Sequence, residues 1–305
     1  MTFASDALRR RLFDEYIDER RALPIPGFSV EVLPHFTRYL SDSGEGDGLV
    51  MYARIPDGEA ENAIREQARY FASKNQTLEW KVYDLDRPPN LRKLLEAEGF
   101  SAHHDEVFLI RDIEGEGAGD AAPPDGVTML AATLDNEVID HIVRVQEESW
   151  DCAFPDLAAQ LRGALSVSDS AVYCAYLDGQ PVGTGWIDFP PRSQFADLHG
   201  GAVLPWARGR GIYTLLYERR RDEARARGCR FLAVDAAPMS RPILEFKGFM
   251  HICGSYPMRS APHPKRARQL RDNVGTTSGC ASVDARALLL VPEIAETRAR
   301  GDVSR

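Results

Sequence analysis

Two stretches of this 305-residue chain run through the same order of elements, and that repetition narrows the folds open to it more than any other feature. In the first, 48–55 reads as a strand, 60–75 as a helix with Ile64, Ala68 and Phe71 on one face, and 78–85 as a strand. A second helix over 90–98 stops at Gly99-Phe100, and 106–113 closes the stretch as a strand. In the second, strand 195–204 leads to a long helix over 212–227 and strand 230–236. A short helix over 241–246 then stops at Gly248-Phe249, and 251–258 follows as a strand. The helix ends match in kind, Leu95-Glu-Ala-Glu-Gly99-Phe100 against Leu244-Glu-Phe-Lys-Gly248-Phe249. Shared order with shared punctuation points to an internal duplication.

Residues 116–125 are rich in Gly, Ala, Pro and acidic side chains, which is linker composition. After them, 127–130 reads as a short strand, and 136–150 and 156–165 as helices, with Asp135 as a cap. Strands 171–177 and 182–189 form a hairpin about Asp178-Gly179, a pair suited to a tight turn. The expected organisation is therefore a domain over 1–115, a linker over 116–125, a domain over 126–260 and a flexible tail over 261–305. Apart from a short helix within 283–298, the Gly, Ser, Thr and Arg content of that tail reads as disorder.

Lys and Arg number 37 against 46 Asp and Glu, a net charge of −9, so binding to a phosphate backbone is disfavoured. No window reaches the roughly 18 consecutive apolar residues of a membrane span. The start lacks a basic segment followed by an apolar one, so no secretion signal is expected and a cytoplasmic protein is. Five cysteines stand singly, without a CxxC pair or a His at ligand spacing; reduced thiols are expected, and no metal. The sequence leaves a homodimer open.

The chemistry-bearing stretch is Val203-Leu-Pro205-Trp-Ala-Arg208-Gly209-Arg210-Gly211-Ile212-Tyr213-Thr214. A strand ends, glycines follow and a long helix begins. Glycines there let backbone N–H groups approach an anion, the helix N-terminus adds partial positive charge, and Arg208 and Arg210 add full charges. The pattern is that of a pyrophosphate cradle. A P-loop would need Lys at the helix start. A dinucleotide fold would need a third glycine where Thr214 stands, although Asp235 on the next strand could meet a ribose.

The stretch closely resembles the acyl-CoA cradle of the Gcn5-related N-acetyltransferases (GNAT), whose signature is Gln/Arg-x-x-Gly-x-Gly/Ala after a Val-x-Pro strand. Only Tyr213 departs, standing where a small residue is usual. The likeness covers 126–259 and includes the order of elements. It implies an α/β fold of two tandem GNAT-like acyl-CoA-binding halves, each a mixed central sheet flanked by helices. Acetyl-CoA is the implied co-substrate, an amine the implied acceptor, and acetyl transfer by direct attack on the thioester the implied reaction. Val203 and Leu204 would pair with pantetheine, residues 208–214 would hold the pyrophosphate, and the Gly201 amide would face the thioester carbonyl. The first half lacks the cradle: Pro56-Asp57-Gly58-Glu59-Ala60-Glu61 is acidic and carries no Arg, so that half is expected to be degenerate.

An amine, pKa about 10.4, must lose a proton before it attacks. Asp197, His199, Gly201 and Val203 are expected to alternate onto one strand face. Asp197, six residues before Val203, matches the carboxylate base of the histone-acetylating branch. His199 titrates nearer neutrality and is the other candidate. Many relatives use a Tyr as general acid where Leu244 stands here; Ser240 is a candidate to reach the sulfur, or else a helix cap. An acyl-CoA-binding protein without turnover is the alternative reading.

Overall fold

The computed structural model describes residues 5–25, 27–42, 47–102, 105–117, 119, 122–167 and 170–261. The tail expected over 261–305 lies outside them beyond Ala261. In chain order the first elements are α1 (Asp6–Arg20), β1 (Phe28–Val32), β2 (Thr37–Ser41), β3 (Asp47–Met51), α2 (Ala60–Ser73), β4 (Thr77–Tyr83), α3 (Leu91–Ala97), β5 (Ser101–Ala102) and β6 (Glu106–Asp112). Then come β7 (Val127–Ala131), α4 (Val138–Trp150), α5 (Leu157–Ser166), β8 (Ser170–Leu177), β9 (Gln180–Asp188), β10 (Phe195–Val203), α6 (Ile212–Ala226), β11 (Phe231–Ala236), α7 (Arg241–Phe246) and β12 (Met250–Arg259). Two compact units result. The described residues up to Phe108, with those from His251 onward, form the first; Leu109–Met250 form the second.

The first unit has its strands in the order β1-β2-β3-β4-β12, with β5 beside β12. β3 and β4 run parallel from Asp47↔Thr77 to Val50↔Trp80. Apolar residues of α2, β3 and β4 fill the core: Ile64, Phe71, Val50 and Trp80 are all fully buried. The Trp80 ring lies 5.6 Å from that of Phe36. α1, an element the sequence reading lacked, is capped by Ser5, whose Oγ accepts from the Leu8 N–H at 3.2 Å.

The second unit orders its strands β7-β8-β9-β10-β11, antiparallel except for β10 and β11. Leu109–Asp112 of β6 lies beside β11, and the Ile113 N–H donates to the Arg230 carbonyl at 2.9 Å. Strand 251–258 follows the second repeat in sequence, yet β12 is antiparallel to β4 in the first unit, from Ser255↔Tyr83 to Arg259↔Glu79. β9 explains how helices cover both faces of the second unit. A Cβ on Gly183 or Gly185 would meet Ile212 or Arg220 of α6 within 3 Å. Thr184 between them contacts Gln146 of α4 instead. Alternation along the strand puts α6 and α4 on opposite faces.

Cys174, Cys229 and Cys253 are free thiols.

Candidate active site

β10 carries the site because it loses regular partners on both edges. On one side it pairs with β11 only through Phe195↔Phe231, Ala196↔Leu232 and Asp197↔Ala233, after which the strands part. On the other, the ladder to β9 slips between His199↔Trp186 and Ala202↔Thr184, which inserts one extra residue into β10. Gly200 takes φ +57° in this bulge, and a Cβ there would lie 1.7 Å from the Trp186 ring. The bulge corrects the expected alternation. Asp197 and His199 lie opposite Asp188 and Trp186 and so share the face of Thr184, whereas Val203, opposite Gly183, lies on the other face.

On the α4 face, His199 Nε2 is 3.3 Å from Asp188 Oδ2. Asp188 Oδ1 accepts from the Ser170 hydroxyl at 2.6 Å. Burial pushes the His199 pKa down, but the hydrogen bond and charge of Asp188, with the charges of Asp197 and Asp235, outweigh it and raise the pKa above its usual value. The His199 side chain keeps 13% of its surface exposed. Asp197 keeps 8%. Asp188 was not among the residues expected from the sequence; counting from the Asp178-Gly179 turn sets it opposite Ser170 of β8, and only the β9–β10 register brings it opposite Asp197.

A short 3₁₀ turn, Pro205–Ala207, leads from β10 to the glycine loop. Gly209 and Gly211 both take left-handed backbone conformations, φ +74° and +78°, and nothing lies within 4 Å of a Cβ built on Gly209. Gly211 is the N-cap of α6, and the first helical bond runs from the Leu215 N–H to its carbonyl at 3.0 Å. The backbone N–H groups of the first turn have no acceptor inside the helix. Arg210 is exposed. Arg208 folds back, its Nε donating to the Val203 carbonyl at 2.9 Å. The side chains of Leu204, Ile212 and Tyr213 are buried, so these residues present only backbone to the loop surface. Thr214 Oγ1 accepts from Lys247 Nζ at 3.1 Å, which brings a cation to the first turn that the sequence reading had not placed there. Ser240 is fully buried and stands at the N-cap of α7 without a side-chain cap bond, its hydroxyl donating instead to the Ala237 carbonyl at 3.0 Å. Leu244 is fully buried.

Strand, bulge, glycine loop and long helix follow one another here within residues 195–226. Residues 134–241 match the acetyltransferase (GNAT) family. The GNAT stretch thus runs from just before α4 to the start of α7 and contains β10 and the loop. No curated protein matches the chain. Solved structures share the fold. A GCN5-related N-acetyltransferase from Kribbella flavida is similar with a TM-score of 0.59 at 13% identity, over 87% of this chain and 99% of that one. A second, from Sphaerobacter thermophilus, gives 0.56 at 14%, over 82% and 86%. A tandem GNAT protein from the clavulanic acid biosynthesis pathway gives 0.56 at 14%, over 85% and 96%. The expected tandem GNAT-like α/β fold is the one observed. Among the described residues no helix is long and apolar enough to cross a membrane. No group of three or more His, Cys, Asp and Glu among them could hold a metal ion.

Proposed function

We propose that this chain transfers an acetyl group from acetyl-CoA to a primary amine in the cytoplasm, and that the second unit carries the site. The observation behind this reading is the opening of β10 from β11 beyond Asp197, which leads to a loop whose two glycines adopt left-handed backbone. An unpaired strand edge suits the amides of a pantetheine arm. A bare glycine backbone at a helix N-terminus suits a pyrophosphate. Backbone N–H groups over 208–214, with Arg210 and Lys247, hold the phosphates; Val203 offers the strand edge, whereas the Leu204 N–H already donates to the Val182 carbonyl and its own carbonyl accepts from the Ala207 N–H, both at 2.9 Å. Ser240 drops out of the cofactor set, since its hydroxyl already serves Ala237.

In the proposed reaction the amine nitrogen bonds to the thioester carbon, the C–S bond breaks and CoA leaves as thiolate. The Gly201 N–H donates to the carbonyl oxygen as negative charge grows on it. His199 accepts the amine proton, directly or through water, and Asp188 steadies the imidazolium. Asp197 is the alternative base, on the same face. The net charge of −9 and the carboxylates about His199 suit a cationic acceptor.

The first unit is the degenerate half. The acidic run from Asp57 to Glu61 leads from β3 into the first turn of α2, where the cradle would stand. On this reading 1–115 and 126–260 are the two copies of one duplicated sequence whose last strands have changed places. Binding without turnover is the second reading, favoured by the buried Leu244 at the family's Tyr position and by the engaged Ser240 hydroxyl. Calorimetric titration with acetyl-CoA, then release of CoA against a panel of amines, separates the two. Binding with release supports transfer, binding with no amine consumed supports the sensor, and no binding sinks both.

A further inference from the structure

Gln146 of α4 and Thr184 of β9 are fully buried polar side chains outside the cradle. The Gln146 amide nitrogen donates to Thr184 Oγ1 at 2.6 Å and to the Gly200 carbonyl at 2.7 Å. The Thr184 hydroxyl donates to the same carbonyl at 2.8 Å. Trp150 Nε1 donates to Gln146 Oε1 at 3.1 Å, which fixes which way round the amide lies. Both amide hydrogens, the hydroxyl hydrogen and both lone pairs of the Gly200 carbonyl are therefore used. A closed, buried network of this kind holds its members in one arrangement.

The carbonyl so held belongs to the bulge, where the ladder to β9 is interrupted and strand hydrogen bonds no longer set the peptide orientation. A trans peptide is planar, with its C=O and N–H pointing opposite ways. Drawing the Gly200 oxygen toward Thr184 and α4 aims the Gly201 N–H the other way. β11 is no longer paired with β10 there, its last partner being at Asp197. On the α6 side, Arg220 Nη1 reaches the preceding carbonyl, that of His199, at 3.4 Å. Successive bulge carbonyls are thus gripped from opposite faces of the sheet.

We propose that Gln146, acting with Thr184, is a positioning residue: it locks the Gly200–Gly201 peptide so that the Gly201 N–H is held as donor to the carbonyl oxygen of a bound thioester. This rests on the reading above that acetyl-CoA lies along β10. The purpose is preorganisation. A donor already aimed at the place where charge develops need not reorient as the reaction proceeds. Neither side chain touches substrate.

The test is isotope-edited infrared spectroscopy of acetyl-CoA labelled with ¹³C at the thioester carbonyl, bound to the full chain. Thr184→Val removes one donor at nearly constant shape, and Gln146→Leu removes the other. Both variants should bind acetyl-CoA within about threefold of wild type, because the phosphate cradle is untouched. In both, the labelled band should move to higher wavenumber as the hydrogen bond to the carbonyl weakens, and Thr184→Ser should restore it. A band unmoved in Thr184→Val with acetyl-CoA bound overturns the proposal, and that variant decides the matter if Gln146→Leu does not fold. Wild-type protein that binds no acetyl-CoA overturns the functional reading itself, and the proposal with it.

Discussion

His199 Nε2 on β10 meets Asp188 Oδ2 on β9 at 3.3 Å, and Asp188 stands opposite Asp197 in the same ladder. One imidazole is thereby set among carboxylates of adjacent strands, near the point where β10 leaves β11. Burial would favour neutral imidazole, and the carboxylates reverse that preference. The balance has a sign that can be measured.

Asp188 supplies the largest of the influences that raise the His199 pKa. Asp188→Asn should therefore let His199 lose its proton at lower pH. If His199 is the base, the acidic limb of the kcat/KM profile should shift to lower pH in that variant. An NMR titration of the His199 Cε1 proton should shift with it. A limb that stays in place while the NMR titration moves would remove His199 from the proton route.

The two candidate bases differ in what their loss does. His199→Gln should lower kcat by roughly 10²–10⁴-fold with acetyl-CoA affinity nearly unchanged. Asp197→Asn, which leaves Asp188 in place, should cost less. The reverse order of losses would make Asp197 the base, and near-normal rates in both would exclude each.

The cradle can be broken at Gly209 with little risk to the fold, because nothing lies within 4 Å of an added Cβ. Gly209→Asp places a carboxylate where the pyrophosphate is proposed to sit, at the cost of a non-glycine residue with positive φ. Acetyl-CoA affinity should fall by at least about two orders of magnitude, a loss of some 2.8 kcal/mol. Undiminished binding by a folded variant would relocate the site.

Only the second unit should bind the co-substrate. A monodisperse sample titrated with acetyl-CoA should saturate near one equivalent per chain. Two equivalents would mean that the first unit, despite its acidic run from Asp57 to Glu61, holds a pyrophosphate.

The bulge itself should be intolerant. Gly200→Ala combines φ +57° with a methyl group 1.7 Å from the Trp186 ring, which is buried and cannot yield cheaply. Unfolding in urea should show a loss of about 3 kcal/mol. A change under about 0.5 kcal/mol would show that the strand can relax around the methyl.

Much of this architecture is legible in the sequence, for local reasons. Helix-stopping glycines at Gly99 and Gly248, the Asp178-Gly179 turn and the Gly209-Arg210-Gly211 loop each declare a backbone conformation within a few residues. What escapes depends on register or on distance. The bulge reads as plain alternation from Asp197 to Val203, since Gly200-Gly201 carries no side chain to betray a change of face. Asp188 becomes visible only when β9 is laid against β10. The period-2 pattern of 251–258 marks a strand but cannot say which sheet receives it. α1 hides its core residues Leu12, Phe13, Tyr16 and Ile17 among closely spaced charges.

The membership of the two units bears on how such a chain can evolve. Leu109–Asp112 serves the second unit although it belongs to the first repeat, and β12 serves the first although it closes the second. No single cut between the repeats leaves either sheet whole. On the proposed reading, a half without the cradle can drift in its loops but cannot be discarded, since deleting it would take a strand from the half that has one. On that reading its retention requires no chemistry of its own: the exchange works as a ratchet that holds the two halves in one chain.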